Sequence, residues 1–287
     1  MSKLEKVMEI LPISVIIPTK NVERTLEECL SSVQMNNPAE IILVDGNSTD
    51  KTLDIARRFT DRIYSDEGRG PSYAHQLGAE QATQEHIAYV DADVTLPQGT
   101  LAILLVELKS SDCVSMQAKI LAANLSNYWE RAANWHISFS QTRRSGGLSA
   151  VVLRRDTCLK YGFDSSIKYA GDDWDFELKV RKDNQKSGTS SAIVYHHHRA
   201  DFKSFTKQSF RNGRGAVLII KKYGVWNIRR WPPLSRFYWI AICIIRCKPH
   251  LIPYFVVMGI GETAGMVDGF SELVLEALRR RHASDGR

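Results

Sequence analysis

Two carboxylates one residue apart, Asp91 and Asp93, close the apolar run Ile87-Ala88-Tyr89-Val90. A buried run that ends abruptly on acids reads as a strand leaving its sheet into an open crevice, with the acids at the mouth. Both can reach one hard cation, which accepts oxygen ligands from carboxylate and phosphate alike, so the pair suits the holding of a diphosphate. Asp is also a common way to end a strand and begin a turn, and Asp-x-Asp alone does not choose between these uses.

A second acidic pair, Asp172-Asp173, follows Tyr169-Ala170-Gly171 and opens a helix carrying Trp174, Leu178 and Arg181. Exposed backbone N–H groups and the helix dipole favour an anion there, so one of the two acids is expected to be ionised at neutral pH and able to take a proton. Helix capping is the plainer use of the same residues. His196-His197-His198 follow the strand-like Ala192 to Tyr195. Neutral imidazole suits Mn²⁺, but three consecutive residues at a strand end cannot all face one ion.

The elements that must position these groups alternate. Ile13 to Ile17 is a β-branched run closed by Pro18, a first buried strand. Val22, Leu26, Cys29, Leu30 and Val33 recur at helical spacing, with Asn21 as the expected cap and Asn36-Asn37-Pro38 as the stop. Ile41 to Val44 is a second strand ending on Asp45, and Leu53, Ala56 and Phe59 mark a second helix. Arg62 to Tyr64, the Gly-rich loop Asp66 to Pro71 and a helix over Ala74 to Ala82 lead to the Asp91 strand. This alternation predicts an α/β fold with a mostly parallel sheet and helices on both faces. Ligands of such sheets bind outside the carboxyl ends of the strands, where Pro18, Thr19, Asp45, the Arg69 loop, Asp91 and Asp93 would gather. A helix over Thr100 to Leu108 and a strand over Cys113 to Gln117 continue the pattern, whereas Asn124 to Gln141 lacks clean periodicity and reads as a variable segment near an acceptor. Gly146-Gly147 allows a tight turn into the strand-like Ala150 to Leu153.

The chain has 287 residues, 44% hydrophobic, and a net charge of +6 that is unevenly spread. Between Arg199 and Lys248 the only acid is Asp201, against twelve Lys and Arg, an excess that suits phosphates, an anionic membrane face or nucleic acid. Five scattered cysteines without a Cys-x-x-Cys pair suggest neither a disulfide framework nor a zinc site, and fit a reducing compartment. The N-terminal residues lack the apolar stretch of a signal peptide, so the catalytic part is expected in the cytoplasm. Near the C-terminus, Phe237 to Ile245 and Leu251 to Ile260 are apolar but interrupted by Arg246, Lys248, Pro249 and Pro253. Neither run reaches the ~18 to 20 apolar residues of a spanning helix. The expectation is a helical extension over 223–287 that touches a membrane interface, following a catalytic domain over 1–222; packing on the sheet or on a second copy is the competing use.

The ordered series of motifs resembles the family 2 glycosyltransferases of the GT-A fold, which is Rossmann-like. The matching pieces are Ile13 to Asn21, Ile41 to Asp50 with Val-Asp-Gly-Asn-Ser-Thr-Asp, Ala88 to Asp93, Gly171 to Leu178, and Gln208-Ser209-Phe210-Arg211. The resemblance implies inverting transfer of a sugar from a nucleoside-diphosphate-sugar donor to an acceptor hydroxyl. It implies that Asp45, Pro18 and Thr19 line the nucleoside pocket, and that Asp93, helped by Asp91, binds Mn²⁺ or Mg²⁺ on the donor diphosphate. Asp173 would be the general base beside Asp172, and Gln208 and Arg211 would contact diphosphate or acceptor. Some GT-A enzymes use a later His as a further metal ligand, here His196 or His198.

Two departures stand out. Ala74-His75-Gln76 replaces the usual Ala-Arg-Asn, leaving Arg69 as the compensating cation, and Asn212 replaces a Trp used by processive synthases, which argues for a non-processive enzyme. Gly213 and Gly215 form no recognisable phosphate loop and are read as permitting a bend. His75, Trp129, Trp135 and His136 are of types that can face a sugar, with core packing the commoner use. Membrane contact would make the acceptor lipid-linked and place the enzyme at the cytoplasmic face of a membrane. The rivals are a sugar nucleotidylyltransferase, which needs a Gly-rich basic loop where Pro18-Thr19-Lys20-Asn21 stands, and a nucleic-acid-binding module using 199–248, for which no binding motif is present.

Overall fold

The computed structural model describes residues 10–141, 147–197, 201–224 and 232–285. By internal packing the chain forms two units. The first runs to Ser126 and adds Ala133–Ser165 and Asp172–His198; the second comprises Asn127–Ala132, Ser166–Gly171 and the residues from Arg199.

The first unit is built on one sheet of β1 (Leu11–Thr19), β2 (Pro38–Asp45), β3 (Ile63–Ser65), β4 (His86–Val90), β5 (Val94–Thr95), β6 (Ser115–Ala122), β7 (Ala150–Arg154) and β8 (Ser187–His196). Their order is β3-β2-β1-β4-β7-β6-β8-β5. β1 to β4 pair in parallel, as strand–helix alternation requires. Beyond them β7 pairs antiparallel with both β4 and β6, β6 is parallel to β8, and β5 is antiparallel to β8. The sheet is therefore mixed. Periodicity reports that a strand exists but not where the chain re-enters the sheet, which decides its direction.

Alternate side chains of the central strands feed two cores. Ile13, Val15 and Ile17 of β1, with Ala88 and Val90 of β4, join Leu26 of α1 (Leu26–Gln34), Ala56 of α2 (Thr52–Ala56) and Leu101 of α4 (Thr100–Lys109). Ile16, Ile87 and Tyr89 join Ala74 of α3 (Pro71–Gln81), Cys158 of α6 (Arg155–Tyr161) and Phe176 of α7 (Asp172–Lys182). This is the two-residue period of a strand buried on both faces. The approach of α3 is tight: a Cβ on Gly78 would stand 2.3 Å from Ile16 Cγ2.

Three local expectations change. Asn21 does not cap α1, which begins at Leu26; it adopts φ 52°, and its Oδ1 accepts from Thr49 N at 2.8 Å, tying the exit of β1 to the loop after β2. Asn tolerates that left-handed conformation where most residues do not. The segment read as aperiodic contains α5 (Tyr128–Gln141), where Trp135 and Phe139, one turn apart, stack with centroids 5.5 Å apart. The strand placed at Cys113 to Gln117 begins later and runs to Ala122.

The second unit holds α8 (Phe202–Tyr223), α9 (Pro232–Ile245) and α10 (Ile252–Asp285). Asp201 caps α8, its carboxylate accepting from Ser204 N at 2.8 Å. α10 lies along α8 on Gly261, Gly265 and Gly269, one per turn. A Cβ on Gly265 would fall 2.0 Å from Phe210 O, and one on Gly213 of α8 2.0 Å from Glu262 O. Gly213 and Gly215 are thus mid-helix points of backbone contact, Gly215 against Ala170 O, and not sites of a bend. Arg236 of α9 makes a two-pronged, mostly buried ion pair with Glu262 of α10, its Nε 2.8 Å from Oε2. α8, which lies almost wholly in the 1–222 part of the sequence, packs along α10 within the second unit. The two apolar runs also change meaning. Pro253 sits in the first turn of α10, where a missing N–H costs nothing, so the helix continues as one piece. By length and composition 249–279 suffices to cross a membrane, which the separate short runs did not.

Candidate active site

β4 ends at Val90, and the chain turns through Asp91-Ala92-Asp93 into β5, with Asp91 N donating to Ser149 O and Val94 N to Asp91 O, each at 3.0 Å. β5 pairs with the end of β8, Val94 opposite His196. That pairing puts His196 Nε2 3.4 Å from Asp93 Oδ1. One ligand atom from each of Asp91, Asp93 and His196 lies within 4.8 Å of the others, a donor set of two carboxylates and an imidazole that fits a divalent cation. His197 turns elsewhere, its Nε2 3.1 Å from Thr95 Oγ1 and 3.4 Å from Glu28 Oε1. His198 lies outside the described residues. Burial first, and the charge of Asp93 second, push the Asp91 carboxyl up from its ordinary value.

The second acidic pair opens α7 and divides its labour. Burial alone would raise the Asp172 carboxyl, but the His75 side chain beside it and nearby backbone N–H groups outweigh that and hold it below the ordinary range. His75 Nδ1 is 2.7 Å from Asp172 Oδ2, an ion-pair contact between two buried side chains. Asp173 goes the other way. Burial, and then the Asp172 charge, push its carboxyl up to about 7, with Asp91 adding to the rise, while Trp174 N, donating at 2.8 Å, and His75 oppose it. The sequence expectation that one acid of the pair is ionised falls on Asp172.

At the ends of β1 and β2, Thr19 and Asp45 are buried. The Asp45 carboxylate accepts from Ser48 N at 2.9 Å, Ser48 Oγ at 2.6 Å and Thr19 Oγ1 at 3.2 Å, so it shapes its own loop. Pro18 is half-buried beside it. Arg69 is exposed in the loop before α3, its guanidinium 3.5 Å from the Tyr73 ring centroid. All of these stand at the carboxyl ends of strands. A cavity of about 260 Å³ lined by Gln34, Asn37 and Glu40 is at the opposite, amino end of β2, away from the acids. Gln208 and Arg211 belong to the second unit, where Gln208 donates to Asn212 Oδ1 at 3.0 Å and Arg211 to Tyr169 O at 2.9 Å.

The family model described as glycosyl transferase family 2 matches residues 14–161, from the middle of β1 to the end of α6. The chain belongs to glycosyl transferase family 2. This family 2 protein is 26% identical to a dolichyl N-acetyl-alpha-D-glucosaminyl phosphate 3-beta-D-2,3-diacetamido-2,3-dideoxy-beta-D-glucuronosyltransferase of Methanococcus voltae, over 81% of each chain. It is 28% identical to a PGL/p-HBAD biosynthesis glycosyltransferase of Mycobacterium bovis, over 76% of this chain and 90% of the relative. Its fold is similar to that of Mycobacterium tuberculosis glucosyl-3-phosphoglycerate synthase, solved with Mn²⁺, uridine-diphosphate-glucose and phosphoglyceric acid. That likeness has a TM-score of 0.56 at 15% identity and covers 74% of this chain and 80% of the other. The GT-A expectation holds, and neither the nucleotidylyltransferase nor the nucleic-acid reading is favoured.

Two residues of this family 2 glycosyltransferase carry more of the site than sequence reasoning gave them. His75 packs edge-on to Tyr89 and against Phe163, and touches Asp172. Asp66, buried, accepts from Gly68 N at 2.7 Å and Gly70 N at 3.1 Å, while its own N donates to Asp45 O. It thereby fastens the Arg69 loop to the Asp45 loop. The signal for Asp66 was present in its place before Gly68 and Gly70; nothing local in the sequence signalled the partner of His75.

Proposed function

We propose that this protein transfers a sugar from a nucleoside-diphosphate donor to an acceptor hydroxyl with inversion, using Mn²⁺ or Mg²⁺ held by Asp91, Asp93 and His196. The observation that carries the reading is the pairing, within one unit, of a carboxylate–imidazole cluster with a separate carboxylate, Asp173, whose affinity for a proton lies near neutrality. The cation, when bound, neutralises charge growing on the departing diphosphate.

Asp173 takes the proton of the attacking hydroxyl. A base near neutrality is ionised often enough to act and basic enough to accept the proton. One displacement with one base leaves the anomeric centre inverted. Asp172, kept ionised beside His75, supplies the negative charge that raises Asp173. The Asp45 loop, Pro18 and Thr19 take the nucleoside, and Arg69 the diphosphate. The acceptor is lipid-linked and met at the cytoplasmic face of a membrane. Support comes from the dolichyl phosphate in the name of one relative, the long apolar α10 and five cysteines that are all free thiols.

The test is a screen of nucleoside diphosphates for thermal stabilisation of the purified chain, with and without Mn²⁺, followed by analysis of the product anomer. Stabilisation that needs the cation, and an inverted product, are expected. A chain that no nucleoside diphosphate stabilises in either condition, or a product with retained configuration, would overturn the reading.

A further inference from the structure

One face of α10 is left without a partner among the described residues. Val256, Ile260, Val267, Phe270, Val274 and Leu278 are between 42% and 66% exposed. At 3.6 residues per turn these six fall within an arc of about 80°. The opposite side carries Phe255, Met258, Gly265 and Gly269, buried against neighbouring helices. The acids of α10 up to Leu278 all lie off the exposed stripe. Glu262 is paired with Arg236, Asp268 and Glu272 are paired with Arg214, and Glu276 continues their row one turn on. The stripe therefore runs from Val256 to Leu278 without a charged side chain, its one polar residue being the exposed Thr263, whose hydroxyl donates to Gly259 O at 2.8 Å.

What brackets the stripe is cationic. Arg246 and Lys248 are exposed just before α10, and Arg279 is exposed just after the stripe, the first of an Arg-Arg-Arg run in the sequence. A long apolar stripe with basic residues at both ends is the pattern of a helix lying in the plane of a bilayer surface, its cations among anionic headgroups. We infer that this face of α10 rests in the interfacial layer of a membrane containing anionic lipid. The inference deepens the reading of a membrane-linked acceptor and rests on it.

Two other occupants fit less well. A second copy packed as a coiled coil would need charged residues flanking the stripe to set partner and register, and Val257, Ala264, Ser271 and Leu275 stand on one flank instead. A spanning helix would carry Asp268, Glu272 and Arg214 into lipid with it, at a cost the interfacial position avoids.

The experiment is co-sedimentation of the full chain with phosphatidylcholine vesicles, with and without phosphatidylglycerol, over a salt series. Binding is expected to be stronger with phosphatidylglycerol and to weaken with salt. Ile260→Glu with Val267→Glu should weaken it about tenfold or more, and Arg246→Gln with Lys248→Gln about fivefold per charge removed. Both sites are exposed, so the thermal midpoint should not move, and nucleotide-dependent stabilisation should be the same in all variants. Equal vesicle binding by wild type and the glutamate variant overturns the inference. So does a dimer in sedimentation velocity that the glutamate variant dissociates while vesicles bind neither form, which would assign the face to a second copy. Retention in membranes through an alkaline carbonate wash would overturn it in favour of a crossing helix. Because vesicle binding is read without donor or metal, its failure is distinguishable from failure of the transfer reaction.

Discussion

His75 Nδ1 stands 2.7 Å from Asp172 Oδ2, between side chains only 7% and 11% exposed, and Asp172 is the neighbour of Asp173. The two partners act on Asp173 with opposite sign: the Asp172 charge raises its carboxyl and His75 lowers it. For a base that must be ionised, kcat/KM of the free enzyme rises with pH through about 7. Asp172→Asn should move that rising limb to lower pH, and His75→Asn should move it to higher pH. A pH–rate profile of the three proteins checks this, and a shift of the same sign in both variants would refute the coupling.

Asp173→Asn should leave metal-dependent donor stabilisation intact while lowering transfer by about 10² to 10⁴. Unchanged turnover would remove Asp173 from the base role.

The same group sets a pH dependence of stability. With its folded value near 7 and its ordinary value at 3.8, Asp173 binds more protons in the folded than in the unfolded state between those limits. Its contribution therefore falls as pH rises through that window. Asp173→Asn should be more stable than wild type at pH 8 and similar to it at about pH 2.5, below both values, where the carboxyl is protonated in both states of the wild type. Urea midpoints at the two pH values read this directly.

Asp93→Ala should abolish the dependence of donor stabilisation on Mn²⁺. His196→Ala should raise the Mn²⁺ concentration needed for half-maximal stabilisation by about tenfold or more. If His196→Ala leaves the Mn²⁺ titration unmoved, the imidazole is not a ligand.

Gly78→Ala should destabilise the first unit by about 1–3 kcal/mol, since its Cβ would press into Ile16 Cγ2 at 2.3 Å. Ile16→Ala removes that methyl, so the double variant should lose less than the sum of the two single losses. Additive losses in urea unfolding would show that the contact is not the cause.

Much of this is legible in the sequence. The alternation from Ile13 to Val90 announced β1 to β4, because a strand buried on both faces must be apolar throughout and its crossover helix must show a helical period. The same logic put Asp45, Asp91 and Asp93 at strand ends, where an acid that closes an apolar run leaves the sheet. The rest depended on partners far away in the chain. His75 on α3 looks like any helical residue until Asp172 arrives beside it, and the glycines of α8 look like breakers until Glu262 of α10 is seen against one of them. The direction of β7 and the sorting of His196 from His197 are likewise set by pairing, which local pattern does not encode.

The ladder between β5 and β8 has a consequence for how the protein is made. Asp93 leaves the ribosome about a hundred residues ahead of His196, and the family match is complete well before β8 is translated. A nascent chain halted after α6 would hold Asp91 and Asp93 but neither His196 nor Asp173, so the cation site and the base proposed above are both complete only once translation has passed β8. Premature stop codons anywhere short of it should yield products inert toward sugar nucleotides, however completely they retain the family's signature.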